Sequence, residues 1–362
     1  MNNRSSNAAI AFAGHRFLID TDVTFRIDQG VHLANFVPET DPAPLCGQLT
    51  PIRVHHSEDL FRDRLAHLEG ARSARVMPFR GDPYRFSRTG RVSWWRPETG
   101  SHLPEDHLYA KDATGRLHIL LHPGTGRGER YVLRVIREVV LRCAEHRGWS
   151  AFHAAAAAVD GHGVLIAGAS GAGKTTVLTA LAAHHRADLI GSDRVVVTEQ
   201  AAHLVGVPIT VRIAAGTLSA LPPRSGLPPH STLPADFGTA HKAACTPQDF
   251  AQAFTARVRE TAPLRLIVLP QLCDDDREMA IAFPPPAAAR DALTAVCCTP
   301  DDEDWLHPWL ADRLRPPTEL ARQASDVRDA MVARAPVMTV TAGVHTPHLL
   351  ERIADAVVRR LT

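Results

Sequence analysis

The sequence predicts a mixed α+β / α/β fold, with a β-rich module over residues 1–125 and an α/β core over residues 126–362. Three observations predict it. In the first third, short alternating runs such as Val23-Thr24-Phe25-Arg26-Ile27 are punctuated by turn residues, the signature of strands with one buried face. Between Glu129 and His146 the pattern changes, with Val132, Val135, Ile136, Val139, Val140 and Cys143 recurring at helical spacing up to Gly148. Beyond that point apolar runs of strand length alternate with helical stretches.

Taken in order, the front module shows two hairpins. One runs from Tyr84 to Trp95 around Thr89-Gly90, the other from His107 to Leu121 around Ala113-Thr114-Gly115, and the module reads as antiparallel. After the Glu129–His146 helix, His153 to Val159 and Gly163 to Ala167 form apolar runs joined by Asp160-Gly161-His162, a hairpin turn. The alanines at 154–158 favour helix by propensity, so the strand assignment rests on their neighbours. Helix is expected from Lys174 to His184, a strand end at Asp188 to Gly191, and strands at Arg194 to Thr198, Leu204 to Ile213, Leu264 to Leu269 and Met279 to Phe283. Leu221 to Pro247, rich in proline, glycine and serine, reads as a surface loop or lid. Helices at Ala287 to Val296 and 318–334, a strand at Val337 to Val340, and a last helix capped by Thr346 with Pro347 in its first turn complete the chain.

The 362 residues are 45% apolar and 22% charged, ordinary for a soluble globular chain with room for one large or two ordinary domains. Forty basic residues balance 39 acidic ones, so no overall field draws the chain to nucleic acid or a membrane surface, and phosphate binding must be local. No secretory or membrane-spanning stretch is apparent, which makes the cytoplasm the expected location. The six cysteines form no C-x-x-C pair, against a zinc ribbon or a disulfide framework.

The informative stretch is Gly168-Ala169-Ser170-Gly171-Ala172-Gly173-Lys174-Thr175-Thr176, which follows an apolar strand and opens a helix. Glycines at this spacing let successive N–H groups converge on phosphate oxygens, and the helix turns the positive end of its dipole to the same anion. In such a P-loop, Lys174 reaches the oxygens between the outer phosphates of ATP and the Thr175 hydroxyl ligates Mg2+. A carboxylate at the end of a neighbouring strand completes the site. Asp193, closing the short run Asp188-Leu189-Ile190-Gly191, is the candidate; the rival strand Leu266 to Pro270 offers no acid until Asp274. A turn aspartate is the bland alternative for Asp193.

In their order, Phe152-His153-Ala154, Asp160-Gly161-His162-Gly163, the loop, and Ser192-Asp193-Arg194 resemble the HPr kinase/phosphorylase superfamily, related to phosphoenolpyruvate carboxykinases. The resemblance covers about residues 150–215. It implies an HPr-kinase-like P-loop nucleotide-binding core in which Gly168 to Thr176 hold ATP. It also implies that Asp193 holds metal or takes a serine hydroxyl proton, that His153 lies near the reacting phosphates, and that the chain self-associates, the family being hexameric. Two features depart from the family. Ser192 stands where the first acid of a pair belongs, and Val205 to Ile213 lack the glutamate and glycine-rich signature. The chain is therefore more similar to the divergent kinases found beside biosynthetic genes, some of which modify peptides.

From these residues the expected activity is ATP-dependent transfer to a hydroxyl of a peptide, protein or small molecule, with catalytic Asp193, Lys174 and His153. Two alternatives stay open: a nucleotide-sensing regulator with little kinase activity, and structural roles for His153 as a core histidine and Arg194 as a salt-bridged strand arginine.

Overall fold

The computed structural model describes residues 6–12, 15–21, 49–79, 81–125, 128–207, 210–229, 233–234, 236–239, 241–302 and 309–361. The expected run Val23 to Ile27 lies outside them. The fold is mixed α/β with mixed sheets, and it divides into two units: Met1–Cys143 with Asp301–Leu314, and Ala144–Pro300 with Arg315–Thr362.

The first unit contains β1 (Ser6–Phe12), β2 (His15–Thr21), β3 (Leu49–His56), α1 (Glu58–Glu69), β4 (Ser73–Phe79), β5 (Asp82–Thr89), β6 (Val92–Pro97), β7 (His107–Lys111) and β8 (Leu117–Leu121). The strands form one sheet in the order β1-β2-β3-β8-β7-β6-β5-β4. Both expected hairpins are present, as β5–β6 and β7–β8. The module is not purely antiparallel, because β3 pairs in parallel with both β2 and β8. The crossover from β3 begins with α1, whose Ser57 N-cap accepts from Leu60 N at 3.3 Å and whose Phe61 and Leu68 pack on Leu108 and Leu120. The Ser57-Glu58-Asp59 start and the Phe61/Leu68 spacing were readable signals for this helix.

α2 (Glu129–His146) forms at the expected bounds. On the other face of the sheet lies a buried polar-aromatic cluster. Tyr84 Oη is 2.8 Å from His107 Nε2, His107 Nδ1 is 3.0 Å from Asp106 Oδ1, and the Tyr131 hydroxyl donates to the same carboxylate. Trp309, from the returning segment, meets Tyr109 edge to face at 4.4 Å and donates its backbone N–H to Glu138 Oε1.

The second unit contains β9 (Ser150–Phe152), β10 (Ala154–Val159), β11 (His162–Ala167), α3 (Lys174–His185), β12 (Asp188–Gly191), β13 (Val195–Val197), β14 (His203–Gly206), β15 (Val211–Ile213) and α4 (Ala215–Ser219). It continues with β16 (Ala243–Cys245), α5 (Pro247–Ala253), β17 (Thr261–Cys273), β18 (Ala280–Ala282), α6 (Pro286–Thr294), α7 (Pro317–Arg334), β19 (Val337–Gly343) and α8 (Leu349–Leu361). The main sheet runs β12-β10-β11-β17-β19-β18, and the start of β17 turns aside to pair β14, which continues through β13 to β9.

The alanine run is a strand because both its faces are covered. Ala155 and Ala157 join the core with α3 and α8, while Ala154, Ala156 and Ala158 join that of α6 and α7. Small side chains suit a strand wedged between two helix layers, and packing overrides helix propensity.

Three expectations need correction. β17 does not stop at Pro270 but continues to Cys273; the proline is tolerated because β11 has already left the sheet, its last pair being Ile166↔Val268. α8 starts at Leu349, since the Thr346 hydroxyl donates to Arg277 O at 2.9 Å instead of capping the helix, and His348 takes a left-handed φ of 56°. The stretch Leu221 to Pro247 contributes Leu221, Ala243 and Cys245 to the core, and β16 within it pairs β15.

Burial holds the His107 imidazole down to about 4, against an ordinary 6.5. Between these values the unfolded chain gains a proton that the folded unit refuses. Stability of the first unit therefore falls as pH drops from 6.5 towards 4, by roughly 3 kcal/mol in all, and levels off below. Near-UV circular dichroism melts across this range are expected to show the slope, and His107→Asn to flatten it; an unchanged slope in the variant would assign it to other groups.

Candidate functional site

The C-terminal ends of the mutually parallel strands β11, β17 and β19 share one edge of the main sheet. β12 ends there too, because it is antiparallel to β10, which is antiparallel to β11. In open α/β sheets this is the edge where ligands bind. The β10–β11 hairpin has a two-residue turn, Asp160 and Gly161, both at positive φ, which fixes Ala154 opposite Ala167. The pairing ends there, with the His153 N–H going to Val296 O at 2.8 Å; His153 immediately precedes β10 and Gly168 immediately follows β11. The spacing of these two residues in sequence is thus a consequence of hairpin length.

Between β11 and α3 the chain makes a glycine-rich loop whose crest, Ala169 to Gly171, is exposed. Ala172 N donates to Ala169 O at 3.2 Å, and Leu272 N of β17 donates to Ala172 O at 3.2 Å, pinning the loop to the sheet. Gly171 and Gly173 lie at φ 82° and 105°. A Cβ on Gly173 would come within 2.6 Å of the Leu272 side chain, whereas one on Gly171 would meet open space. Gly173 is the N-cap of α3 and supplies no side-chain cap, so that helix end offers amide N–H groups to an external acceptor.

Lys174 is buried, and its Nζ donates to Gly168 O at 2.7 Å and Ala169 O at 2.9 Å. The Thr175 side chain is half-buried, and the Thr176 hydroxyl lies 2.9 Å from that of Thr217 on α4. An uncapped helix start, left-handed glycines and a lysine held at the loop form a donor set that fits phosphate. Among the described residues no group of three or more His, Cys, Asp or Glu side chains could hold a metal ion. At the loop itself the Thr175 hydroxyl is the side chain that could contribute to holding a magnesium ion.

Asp193 follows β12 in a left-handed conformation, φ 73°, uncommon for a residue with a side chain. Its carboxylate is held from two sides, with Oδ1 3.2 Å from His153 Nε2 and Oδ2 accepting from Arg194 Nη1 at 3.4 Å. Arg194, only 1% exposed, also donates to Asp193 O at 3.1 Å. Behind this turn β12 and β14 touch backbone to backbone: a Cβ on Gly206 would fall 1.7 Å from Ile190 O. Ser192, which replaces an acid in the resembled pattern, is buried.

His153 and Asp193 are therefore in contact, at the sheet edge from which the loop departs. Sequence reasoning passed over Asp274 because it ended the strand at Pro270. With β17 continuing to Cys273, Asp274 stands at a strand end on the same edge as the loop, its Oδ1 3.1 Å from His345 Nε2. No protein-family model and no curated protein matches the chain. No helix of the described residues is long and apolar enough to cross a membrane.

Two glycine variants separate conformational strain from steric overlap. Gly171→Ala is expected to cost about 1 kcal/mol for a left-handed alanine alone. Gly173→Ala should cost about 3 kcal/mol, since Leu272 must move as well. Denaturant unfolding of the second unit checks this; equal losses would remove the tight β17 contact from the description of the loop.

Proposed function

We propose that the chain transfers the terminal phosphate of Mg-ATP to a hydroxyl of a peptide, protein or small biosynthetic molecule, on an HPr-kinase-like P-loop core. The observation that carries this reading is the contact of His153, just before β10, with Asp193, just after β12, at the sheet edge where β11 runs out into the glycine-rich loop, so that anion donors and a held carboxylate share one edge. Bound magnesium would neutralise charge on the transferring group. Lys174 exchanges Gly168 O and Ala169 O for phosphate oxygens, and the loop amides with the helix start hold the phosphates in line.

Asp193 Oδ accepts the proton of the acceptor hydroxyl as its oxygen forms a bond to phosphorus and the bridging oxygen of ATP leaves with ADP. His153 fixes the orientation of that carboxylate, and Arg194 holds its backbone. The fork geometry of an arginine serves this better than a transition-state contact, because the guanidinium is buried against Asp193's own carbonyl.

A second reading, a nucleotide sensor with slow turnover, is favoured by Ser192, buried where a second acid would stand. Incubation with γ-labelled ATP and the protein products of neighbouring genes, read by mass spectrometry, separates the two: the kinase yields a phosphorylated acceptor and the sensor none. Lys174→Ala is expected to abolish transfer with the fold retained. Asp193→Asn should lower kcat by about 100-fold or more with nucleotide affinity little changed. Equal losses in kcat and affinity would make Asp193 a metal holder instead of the base.

A further inference from the structure

His153 stands between two ladders. It is the single residue separating β9 (Ser150–Phe152) from β10 (Ala154–Val159), and the two strands pair with different neighbours: β10 with β11 and β12, β9 with β13. The β9–β13 register, with Phe152 opposite Val195, brings His153, just after β9, towards Asp193 and Arg194, just before β13. Where β9 sits along its own length therefore decides how the imidazole meets the carboxylate.

The other edge of β9 is held by the segment that follows α6. Phe152 and Cys297 are antiparallel partners, the His153 N–H donates to Val296 O at 2.8 Å, and the Cys298 N–H donates to Ala151 O at 2.8 Å. In such a ladder Phe152 and Cys297 form a non-hydrogen-bonded pair, and the next pair outward, Ala151 and Cys298, exchanges two backbone bonds. Here one of those two is replaced. The Ala151 N–H goes to Thr299 Oγ1 at 3.0 Å instead of to Cys298 O.

The reason lies in the path of the chain. It bends at Thr299 and Pro300, and Cys297 Sγ closes on Thr299 O at 3.4 Å, so the threonine hydroxyl stands where the ladder would have placed a carbonyl. Ala151 and Thr299 are 5% and 6% exposed. Water offers no ready substitute at that depth, and the buried N–H depends on this one side-chain oxygen.

We infer that Thr299 is a positioning residue: by accepting from Ala151 it fixes β9 lengthwise and so sets His153 against Asp193. The consequence for phosphoryl transfer rests on the functional reading above; the geometric part does not.

Two variants of the full-length protein test this. Thr299→Val keeps the branched shape and loses the acceptor, whereas Thr299→Ser keeps the acceptor. In Thr299→Val the backbone amide and imidazole resonances of His153 are expected to shift in proton–nitrogen correlation NMR, and in Thr299→Ser to stay in place. Transfer from γ-labelled ATP should show kcat lowered about tenfold or more in Thr299→Val, KM for ATP unchanged, an altered pH–rate profile, and recovery in Thr299→Ser.

A folded Thr299→Val with wild-type His153 resonances overturns the role, as does an equal displacement of His153 in Thr299→Ser. If Thr299→Val does not fold, Thr299→Ala, which removes the same acceptor, is read in its place; unfolding of both makes Thr299 a residue of stability alone and also overturns the role. The NMR readout needs no turnover. His153 displaced in a chain whose wild type transfers no phosphate supports the positioning and overturns the kinase reading, while full transfer by a Thr299→Val protein with displaced His153 overturns the catalytic consequence.

Discussion

The second unit depends on one strand serving three neighbours. β17 pairs β14 through its first residues, then lies between β11 and β19, and finally runs on past the end of β11 to support the loop with Leu272. Each role constrains its sequence. Leu264, Leu266, Ile267 and Val268 are fully buried along the β11 pairing, and Ile267 and Val268 lie between β11 and β19, as a central strand requires. Pro270 falls where β11 has peeled away. Leu272 then fills the space that an absent Cβ on Gly173 leaves open, so the loop's shape is set from outside by the neighbouring strand as much as by its own glycines.

Three of the seven described non-glycine residues at left-handed φ flank a single short strand. Asp193 precedes β13 and Gln200 and Ala201 follow it, all at left-handed φ. A three-residue strand contributes few ladder bonds of its own, so these ends are held by what surrounds them: Arg194 and His153 at the first, the packed Ala201 side chain at the second. The same local rule that makes such residues costly makes them informative, because folding energy from the buried strands around β13 is spent on fixing a carboxylate's direction. The β12–β14 contact at Gly206 belongs to this arrangement, since any larger residue would push the Asp193 turn off its seat.

How much of this was legible in the sequence follows from which interactions are local. The Asp160-Gly161 hairpin, the loop's glycines and the Glu129–His146 helix are encoded by neighbours in the chain, and they form where expected. The contact between His153 and Asp193 crosses two strand pairings, and only the order of motifs hinted at it. The parallel pairing of β3 and the continuation of β17 beyond Pro270 depend on partners distant in sequence, and a proline reads as a stop until its neighbour is known to have left. Arg194 reads as a surface strand residue by composition; its burial is a tertiary fact.

The position of Lys174 ties the loop's geometry to its proposed chemistry. A lysine ammonium at a largely buried site needs acceptors, and the carbonyls of Gly168 and Ala169 supply two of them from the loop itself. The ammonium therefore reinforces the loop's curled form, and under the proposed function phosphate binding would be an exchange of acceptors on an existing scaffold instead of the ordering of a loose segment. Such an exchange costs little conformational entropy, because Gly171 and Gly173 already hold the φ values the curl requires. It also sets a condition on any ligand of the loop: a group carrying full negative charge competes with two carbonyls for a lysine where a neutral hydroxyl does not, which agrees with the proposed phosphate.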